Sequence, residues 1–185
     1  MKNQNGFTLI ELLAVVVILG LLMTIAIPNT LSMIDKHNRT TYLENGKTFV
    51  SLVKSKLKTD RSLELPQNDS TASIITLGYL DTNNIVNDPY GAPYDKNRSF
   101  VLVLNVSGNM KYYVHLVSCS NDGGTCNPQV YNQWRGIDLT EVGNLSSDDK
   151  YSYIKTAGAA ANKLSIINTD PLIGTRTLYV DGVLN

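Results

Sequence analysis

The feature that most constrains this chain is a long uncharged stretch near its N-terminus. From Leu12 to Ile34, 23 consecutive residues carry no charge, and Leu12 to Ile27 are apolar except for Gly20 and Thr24. A helix rises about 1.5 Å per residue, so roughly 20 such residues span the hydrocarbon core of a bilayer. A secretory signal peptide has a shorter apolar core that ends at a small-residue cleavage site. The stretch therefore predicts a retained membrane-spanning helix.

One acidic residue lies inside this apolar region. Glu11 comes four residues after Phe7, where the apolar segment begins behind a short polar leader. A carboxylate in hydrocarbon is costly unless it is paired or protonated, so an acid at such a position indicates a function. The charges that flank the stretch, Lys2 on one side and Lys36 and Arg39 on the other, do not choose its orientation.

The block Gly6-Phe7-Thr8-Leu9-Ile10-Glu11-Leu12-Leu13 resembles the class III signal of type IV pilins and pseudopilins. The resemblance implies that a prepilin peptidase cleaves between Gly6 and Phe7 on the cytoplasmic side and N-methylates Phe7. It implies that Glu11 pairs with the new amine of a neighbouring subunit during assembly. It also implies a helix kink at Pro28 and an external C-terminal domain.

Helical periodicity continues beyond the uncharged stretch. Apolar residues recur at three- and four-residue spacing and form one stripe, made of Tyr42, Leu43, Gly46, Phe49, Val50, Val53 and Leu57. The pattern fades at Thr59 and is closed by Pro66. We therefore predict one helix from about Thr8 to Lys58, kinked or loosened near Gly20 and Pro28.

The charges of the chain balance overall but not locally. The 16 basic and 16 acidic residues give a net charge of zero, which excludes recruitment to nucleic acid by overall charge. Residues 35–58 hold six basic and two acidic residues, whereas residues 60–185 hold nine basic and thirteen acidic ones. Two explanations stay open: a solvated helix face, or attraction between the basic helix and the acidic domain of another subunit.

The remainder of the chain predicts a sheet. Ser99–Val106 and Met110–Val117 are β-rich runs joined by a turn signal, and Arg176–Val180 reads as a further strand. Ser73–Leu80 fits either a short strand or a helical turn. The turn-rich segment Asn87–Tyr94 is similar to the Asp-Pro-aromatic-Gly-x-Pro-Tyr loop of pseudopilins and some pilins. No elements are assigned within residues 127–175.

Two cysteines and several acidic residues are the candidates for bonds and ligands. Cys119 and Cys126, with six residues between them in a domain expected to be external, predict a disulfide, with two free thiols as the alternative. Zinc is not expected, because His37 and His115 are the only histidines. Asp148 and Asp149, and the stretch Asp81-Thr82-Asn83-Asn84, are candidates for calcium, although neither has the spacing of an EF-hand. Trp134 fits a core position better than a binding platform.

Known catalytic motifs are missing from the sequence. It contains no Gly-rich phosphate loop, zinc motif or GxSxG elbow. A membrane-anchored extracellular hydrolase would have to use His115, which falls in a predicted strand and fits a structural role. The hydrolase is the distant alternative, and we expect no enzymatic activity and no cofactor.

The sequence thus predicts an α+β pilin fold with a long N-terminal helix and a C-terminal antiparallel sheet. We expect a leader at residues 1–6, a transmembrane and filament-core helix at 7–34, an amphipathic helix at 35–59 and an extracellular head at 60–185.

The predicted function is that of a structural subunit of a type IV pilus, serving adhesion, motility or surface interaction. The alternative is a pseudopilin of type II secretion or competence. Expected partners are other copies, other pilins, the prepilin peptidase and the assembly machinery of the cytoplasmic membrane, without specific nucleic acid. The expected locations are that membrane before assembly and the cell surface afterwards.

Overall fold

A computed structural model of the 185-residue chain describes residues 8–82, 84–119, 134–146 and 171–184. The side chains of residues 25–29, Cys119 and Trp134 lie outside that description. The chain divides into two compact units, residues 1–37 and 38–185.

Helix α1 spans Leu9–Thr59 and contains 51 residues. The helix predicted from Thr8 to Lys58 is therefore confirmed to within one residue at each end, and its backbone is helical through Gly20 and Pro28. Lys56 and Lys58 lie in its last turn, where positive charges interact favourably with the negative end of the helix dipole. Among the residues that the structure describes, no helix combines the length and apolar character needed to cross a membrane.

The strands form one six-stranded sheet in the order β4-β3-β2-β1-β5-β6. The described strands are β1 (Thr71–Thr76), β2 (Phe100–Val106), β3 (Asn109–Cys119), β4 (Trp134–Glu141), β5 (Thr177–Val180) and β6 (Val183–Leu184). The predicted α+β fold is confirmed. The sheet is antiparallel except between β1 and β5, which pair in parallel because β5 reaches β1 through a long connection rather than a hairpin.

The predicted β2–β3 hairpin forms around a two-residue loop. Val106 pairs with Asn109, and the loop residues Ser107 and Gly108 have φ angles of 52° and 85°. Two positive φ angles define a type I′ turn, whose twist matches that of the flanking strands. Asp181 and Gly182 repeat this geometry between β5 and β6, with φ angles of 51° and 84°.

The ambiguous segment Ser73–Leu80 is both a strand and a helical turn. Strand β1 ends at Thr76, and the short helix α2 follows at Leu77–Leu80. The Thr76 hydroxyl accepts a hydrogen bond from the Tyr79 N–H, which caps α2. Strand β4 and the 3₁₀ turn Val142–Asn144 lie in the region for which the sequence predicted no elements.

The apolar stripe of α1 beyond Asn38 packs on one face of the sheet. Strand β2 is buried on both faces: Val101 and Val103 face the helix cluster, while Phe100, Leu102 and Leu104 belong to a second cluster. The cluster under α1 contains the buried helix residues Tyr42, Leu43, Phe49, Val50, Val53 and Leu57. Residues 38–59 are thus fixed to the sheet by hydrophobic burial.

Candidate functional site

The first turn of α1 is closed by a reciprocal pair of side chains, Thr8 and Glu11. The Thr8 N–H and the Thr8 hydroxyl both donate to Glu11 Oε2, at 2.9 and 2.7 Å. The Glu11 N–H donates in turn to Thr8 Oγ1 at 3.4 Å. This is a capping box, which satisfies backbone N–H groups that the helix itself leaves without acceptors. It holds the Glu11 carboxylate at the positive end of the helix dipole.

The capping box fixes the Glu11 carboxylate against Thr8, which lies close in sequence to the predicted cleavage point. Thr8 directly follows Phe7 in the chain, so Oε2 is bonded to the residue that would be second after cleavage. Gly6 and Phe7 themselves lie outside the described residues, and their roles in cleavage and methylation stay predictions. Pro28 has a helical backbone, but its side chain lies outside the description, so the kink also stays a prediction.

The helix around Glu11 is apolar on every side. Its large apolar side chains are between 49% and 85% exposed in the single chain, and they are Leu9, Ile10, Leu12, Leu13, Val15, Val16, Val17, Ile18, Leu19, Leu21, Leu22 and Met23. Consecutive residues of a helix point in all directions around its axis. An exposed apolar surface of this extent marks a site of interaction.

The polar side chains of this segment are satisfied locally. Besides the Thr8–Glu11 pair, the Thr24 hydroxyl donates to the Leu21 carbonyl at 2.7 Å. A hydroxyl bonded to its own helix turn needs no water. The segment therefore presents apolar atoms outward and keeps its hydrogen bonds within the helix.

A second organised feature is the turn-rich loop predicted at Asn87–Tyr94, which is built around the buried carboxylate of Asp88. Asp88 Oδ1 accepts from the N–H groups of Tyr90 and Ala92 at 2.9 and 2.8 Å. Asp88 Oδ2 accepts from the Tyr42 hydroxyl at 2.6 Å and the Ser118 hydroxyl at 2.7 Å. One carboxylate thus closes the loop on itself and joins it to α1 and β3.

Arg135 of β4 completes the surroundings of this carboxylate. Its Nε lies 3.5 Å from Asp88 Oδ2, and its guanidinium carbon lies 4.1 Å from the centre of the Tyr90 ring. Burial, and then the hydrogen bond to Asp88, raise the pKa of Tyr42 far above its usual value, so Tyr42 is a permanent donor. The sequence predicted the turn-rich loop, but it did not predict that Asp88 would contact Tyr42, Ser118 and Arg135.

The predicted disulfide and its neighbours fall largely outside the described residues. Cys119 ends β3, but its side chain and the whole of Cys126 are outside the description, so the disulfide stays a prediction. The same holds for the calcium candidates Asp148 and Asp149, and for the core position predicted for the Trp134 side chain.

The other calcium candidate gains no support as a metal site. Asp81 forms the C-cap of α2 with a φ of 42°, and Asn83 lies outside the description. Across the described ranges, no group of three His, Cys, Asp or Glu side chains is placed to hold a metal ion.

His115, the residue that a hydrolase would require, is fully buried in β3. Its ring lies 5.1 Å from that of Phe100, and Nδ1 is 3.8 Å from Asp138 Oδ1, beyond hydrogen-bond distance. Burial lowers its pKa to about 4, so the ring is neutral at pH 7. His115 is therefore a core side chain without access to a substrate.

Comparison with known proteins supports the N-terminal resemblance. Residues 1–27 match the family model described as the prokaryotic N-terminal methylation motif. No solved structure is significantly similar to the chain.

Similar proteins extend the match beyond this motif. The chain is 30% identical to the type II secretion system core protein G of Aeromonas hydrophila over 103 residues, covering 50% of this chain and 72% of the relative. It is 32% identical to the protein of the same name from Vibrio cholerae over 125 residues, which are 58% of this chain and 84% of the relative. It is also 32% identical to the competence protein ComGC of Bacillus subtilis over 78 residues, covering 42% of this chain and 76% of the relative.

Proteins of the type IV pilin-like family are anchored in a membrane before assembly and are found in filaments afterwards. With a protein G relative matched over more than two thirds of its length, the chain belongs to the type IV pilin-like family.

Proposed function

We propose that the chain is a structural subunit of a type IV pilus or a related pilus-like filament. In this proposal a prepilin peptidase removes residues 1–6 and methylates Phe7. Residues 7–34 anchor the subunit in the cytoplasmic membrane and then leave lipid to pack against the same segments of other copies. The assembled filament lies at the cell surface.

The observation that carries the proposal is the exposed, all-round apolar surface of α1 between Leu9 and Met23. Such a surface needs lipid or other apolar helices around it. Transfer from lipid to a bundle of identical helices exchanges one apolar environment for another. Burial alone therefore does not fix how far each subunit slides along its neighbour, and a specific polar contact is needed to set the register.

Glu11 supplies that contact in our proposal. Opposite charges gain strongly by pairing where water is excluded, and either charge left alone is costly. The capping box holds the carboxylate against Thr8, the residue that follows Phe7 in the chain. The amine of Phe7 on a neighbouring copy is the cation that cleavage creates. Pairing the two would set the stagger between subunits.

The relatives support a second form of the proposal. They are named as type II secretion and competence proteins, which favours a pseudopilin of secretion or DNA uptake as much as a pilus subunit. The pilus form gives the filament a role in adhesion or twitching motility. In both forms the partners are copies of the chain, other pilins, the peptidase and the assembly machinery, and the role is structural rather than enzymatic.

Substitution of Glu11 tests the proposal. We expect Glu11→Ala to be cleaved like the wild type and to accumulate in the membrane, because the cleavage point at Gly6 is untouched. Incorporation into sheared surface filaments should fall about tenfold or more, the effect of losing at least ~1.4 kcal/mol per contact. Immunoblots of membrane and sheared fractions measure both quantities.

The matched control is Glu44→Ala, which removes an acid from the exposed face of the same helix, where it pairs with Lys47 at 2.9 Å. This variant should assemble normally. Normal incorporation of Glu11→Ala would contradict the registering role of Glu11.

A further inference from the structure

A groove lies beside the C-terminal end of α1, within the unit of residues 38–185. It has a volume of about 600 Å³ and is lined by Lys54, Leu57, Lys58, Leu65, Met110 and Tyr112. The helix forms one wall, and the β2–β3 hairpin and the segment after α1 form the rest. Leu65 and Met110 are 37% and 39% exposed, so the apolar floor is open to solvent.

The rim of this groove is basic. Lys54 and Lys58 are exposed and four residues apart, which places them on one face of α1. The Lys54 ammonium lies 4.4 Å from the centre of the Tyr112 ring, which directs it over the floor. None of the six lining residues is acidic.

Two neighbouring lysines of the helix form ion pairs within the chain. Lys47 pairs with Glu44 at 2.9 Å, and Lys56 pairs with Asp60 at 3.3 Å. Within the described part of the chain, neither Lys54 nor Lys58 forms an ion pair. Like charges four residues apart on a helix repel, and a carboxylate placed between them would relieve that repulsion.

We propose that this groove is a docking site for a second copy of the chain, which presents a carboxylate to Lys54 and Lys58 and an apolar side chain to the floor. The inference rests on the proposed filament function and assigns one lateral contact within that filament. An apolar floor beneath two ammonium groups selects an occupant that is both acidic and apolar.

The acidic charge of residues 60–185 and the small size of the groove favour a second copy of the chain over an independent partner protein. Residues 60–185 carry thirteen acidic and nine basic residues, so the head of a second copy offers carboxylates in excess. A groove lined by six residues is far smaller than the roughly 20–30 residues per side of a stable independent interface. It suffices where the partners are already tethered by their helices, because tethering raises the effective concentration.

Zero-length carbodiimide cross-linking of intact filaments tests the proposal. Cells express two full-length copies with different epitope tags, and their sheared filaments are treated with the carbodiimide. One tag is then captured under denaturing conditions. We expect the other tag in the captured material and, by mass spectrometry, an amide that joins Lys54 or Lys58 to a carboxylate of the other copy.

Charge reversal supplies the matched comparison. Lys58→Glu should lower the yield of the amide formed by Lys54, whose amine is kept, about tenfold, because the change places like charges together in the docked state. Lys96→Glu makes the same change at an exposed head lysine outside the groove and should leave the yield unchanged. Equal thermal stability of the two variants would show that folding is not the cause.

The outcomes separate this inference from the proposed function. If filaments form but Lys54 and Lys58 couple only within one copy or to a different protein, the groove proposal is wrong and the filament proposal stands. Equal yields from Lys58→Glu and Lys96→Glu also overturn the groove proposal. If the wild type forms no filament, both proposals fall together.

Discussion

At the scale of single residues, Asp88 shows how one carboxylate organises a loop. Its two oxygens accept four hydrogen bonds, from Tyr42, Ser118, Tyr90 and Ala92, and face Arg135. Buried carboxylates are stable only when their acceptor positions are filled in this way. The sequence revealed the turn through its Pro and Gly residues. It did not reveal the partners, because Tyr42 lies 46 residues and Ser118 30 residues away.

We expect Asp88→Asn to destabilise the unit of residues 38–185 by on the order of 2–4 kcal/mol. An amide cannot accept at both ends, so two of the four donors lose their acceptor and Arg135 loses its countercharge. Urea unfolding of the full chain in detergent measures the effect. Asp81→Asn is the control, since Asp81 is exposed and Asn tolerates its positive φ. Equal urea midpoints of unfolding for Asp88→Asn and Asp81→Asn would contradict the role assigned to Asp88.

His115 predicts a pH dependence of stability. Its pKa is about 4 in the folded chain because of burial, against about 6.5 when unfolded. Between these values the unfolded chain binds more protons, so stability falls as the pH decreases from 6.5 towards 4. Relative to His115→Phe, the wild type should lose about 2 kcal/mol between about pH 7 and pH 5. If the free energies of unfolding of the wild type and of His115→Phe changed in parallel with pH, His115 would not titrate in this way.

At the scale of elements, local signals in the sequence identified α1 and the β2–β3 hairpin, whereas pairings between distant segments were not predicted. The stripe from Tyr42 to Leu57 predicted α1 because helical spacing is visible within a few turns. The Ser107–Gly108 turn predicted the hairpin of β2 and β3, because glycine favours the positive φ angles that a tight hairpin turn requires. The parallel β1–β5 pairing was not predictable, since its partners are about a hundred residues apart.

Strand β4 was missed because its sequence, WRGIDLTE, contains Gly, Asp and Glu, which are depleted in strands. The glycine, Gly136, is what allows β4 to pair closely with β3. Gly136 has a φ of 154°, and a Cβ there would collide with the Leu116 carbonyl of β3. The β3–β4 ladder is irregular at this level, between Val114 and Leu116. Gly136 therefore permits a close approach of the two backbones.

We expect Gly136→Ala to weaken the β3–β4 pairing and to cost on the order of 2–4 kcal/mol in unfolding free energy. The methyl group meets backbone atoms, which cannot move aside as a flexible side chain can. Gly143→Ala is the control, because a methyl group added there would meet no atom within 4 Å. Hydrogen exchange in the β3 and β4 amides should accelerate in the first variant only. Unchanged exchange there would contradict the close approach.

At the scale of the whole molecule, the chain combines an apolar helical segment with a unit that contains the six-stranded sheet. The net charge of zero conceals a basic helix end and an acidic remainder. Part of that basic charge is neutralised within the chain by Glu44 and Asp60, whereas Lys54 and Lys58 are left at an open groove. This charge distribution supports the proposed docking of a second copy at the groove.

The proposed function requires that these copies polymerise through their N-terminal helices. Electron microscopy of cells labelled with gold-conjugated antibody against residues 60–185 tests that polymerisation in place. We expect gold along surface filaments in cells that express the wild type, and gold confined to the membrane in cells that express Glu11→Ala. Wild-type cells in which no filament carries the label would contradict polymerisation of the chain.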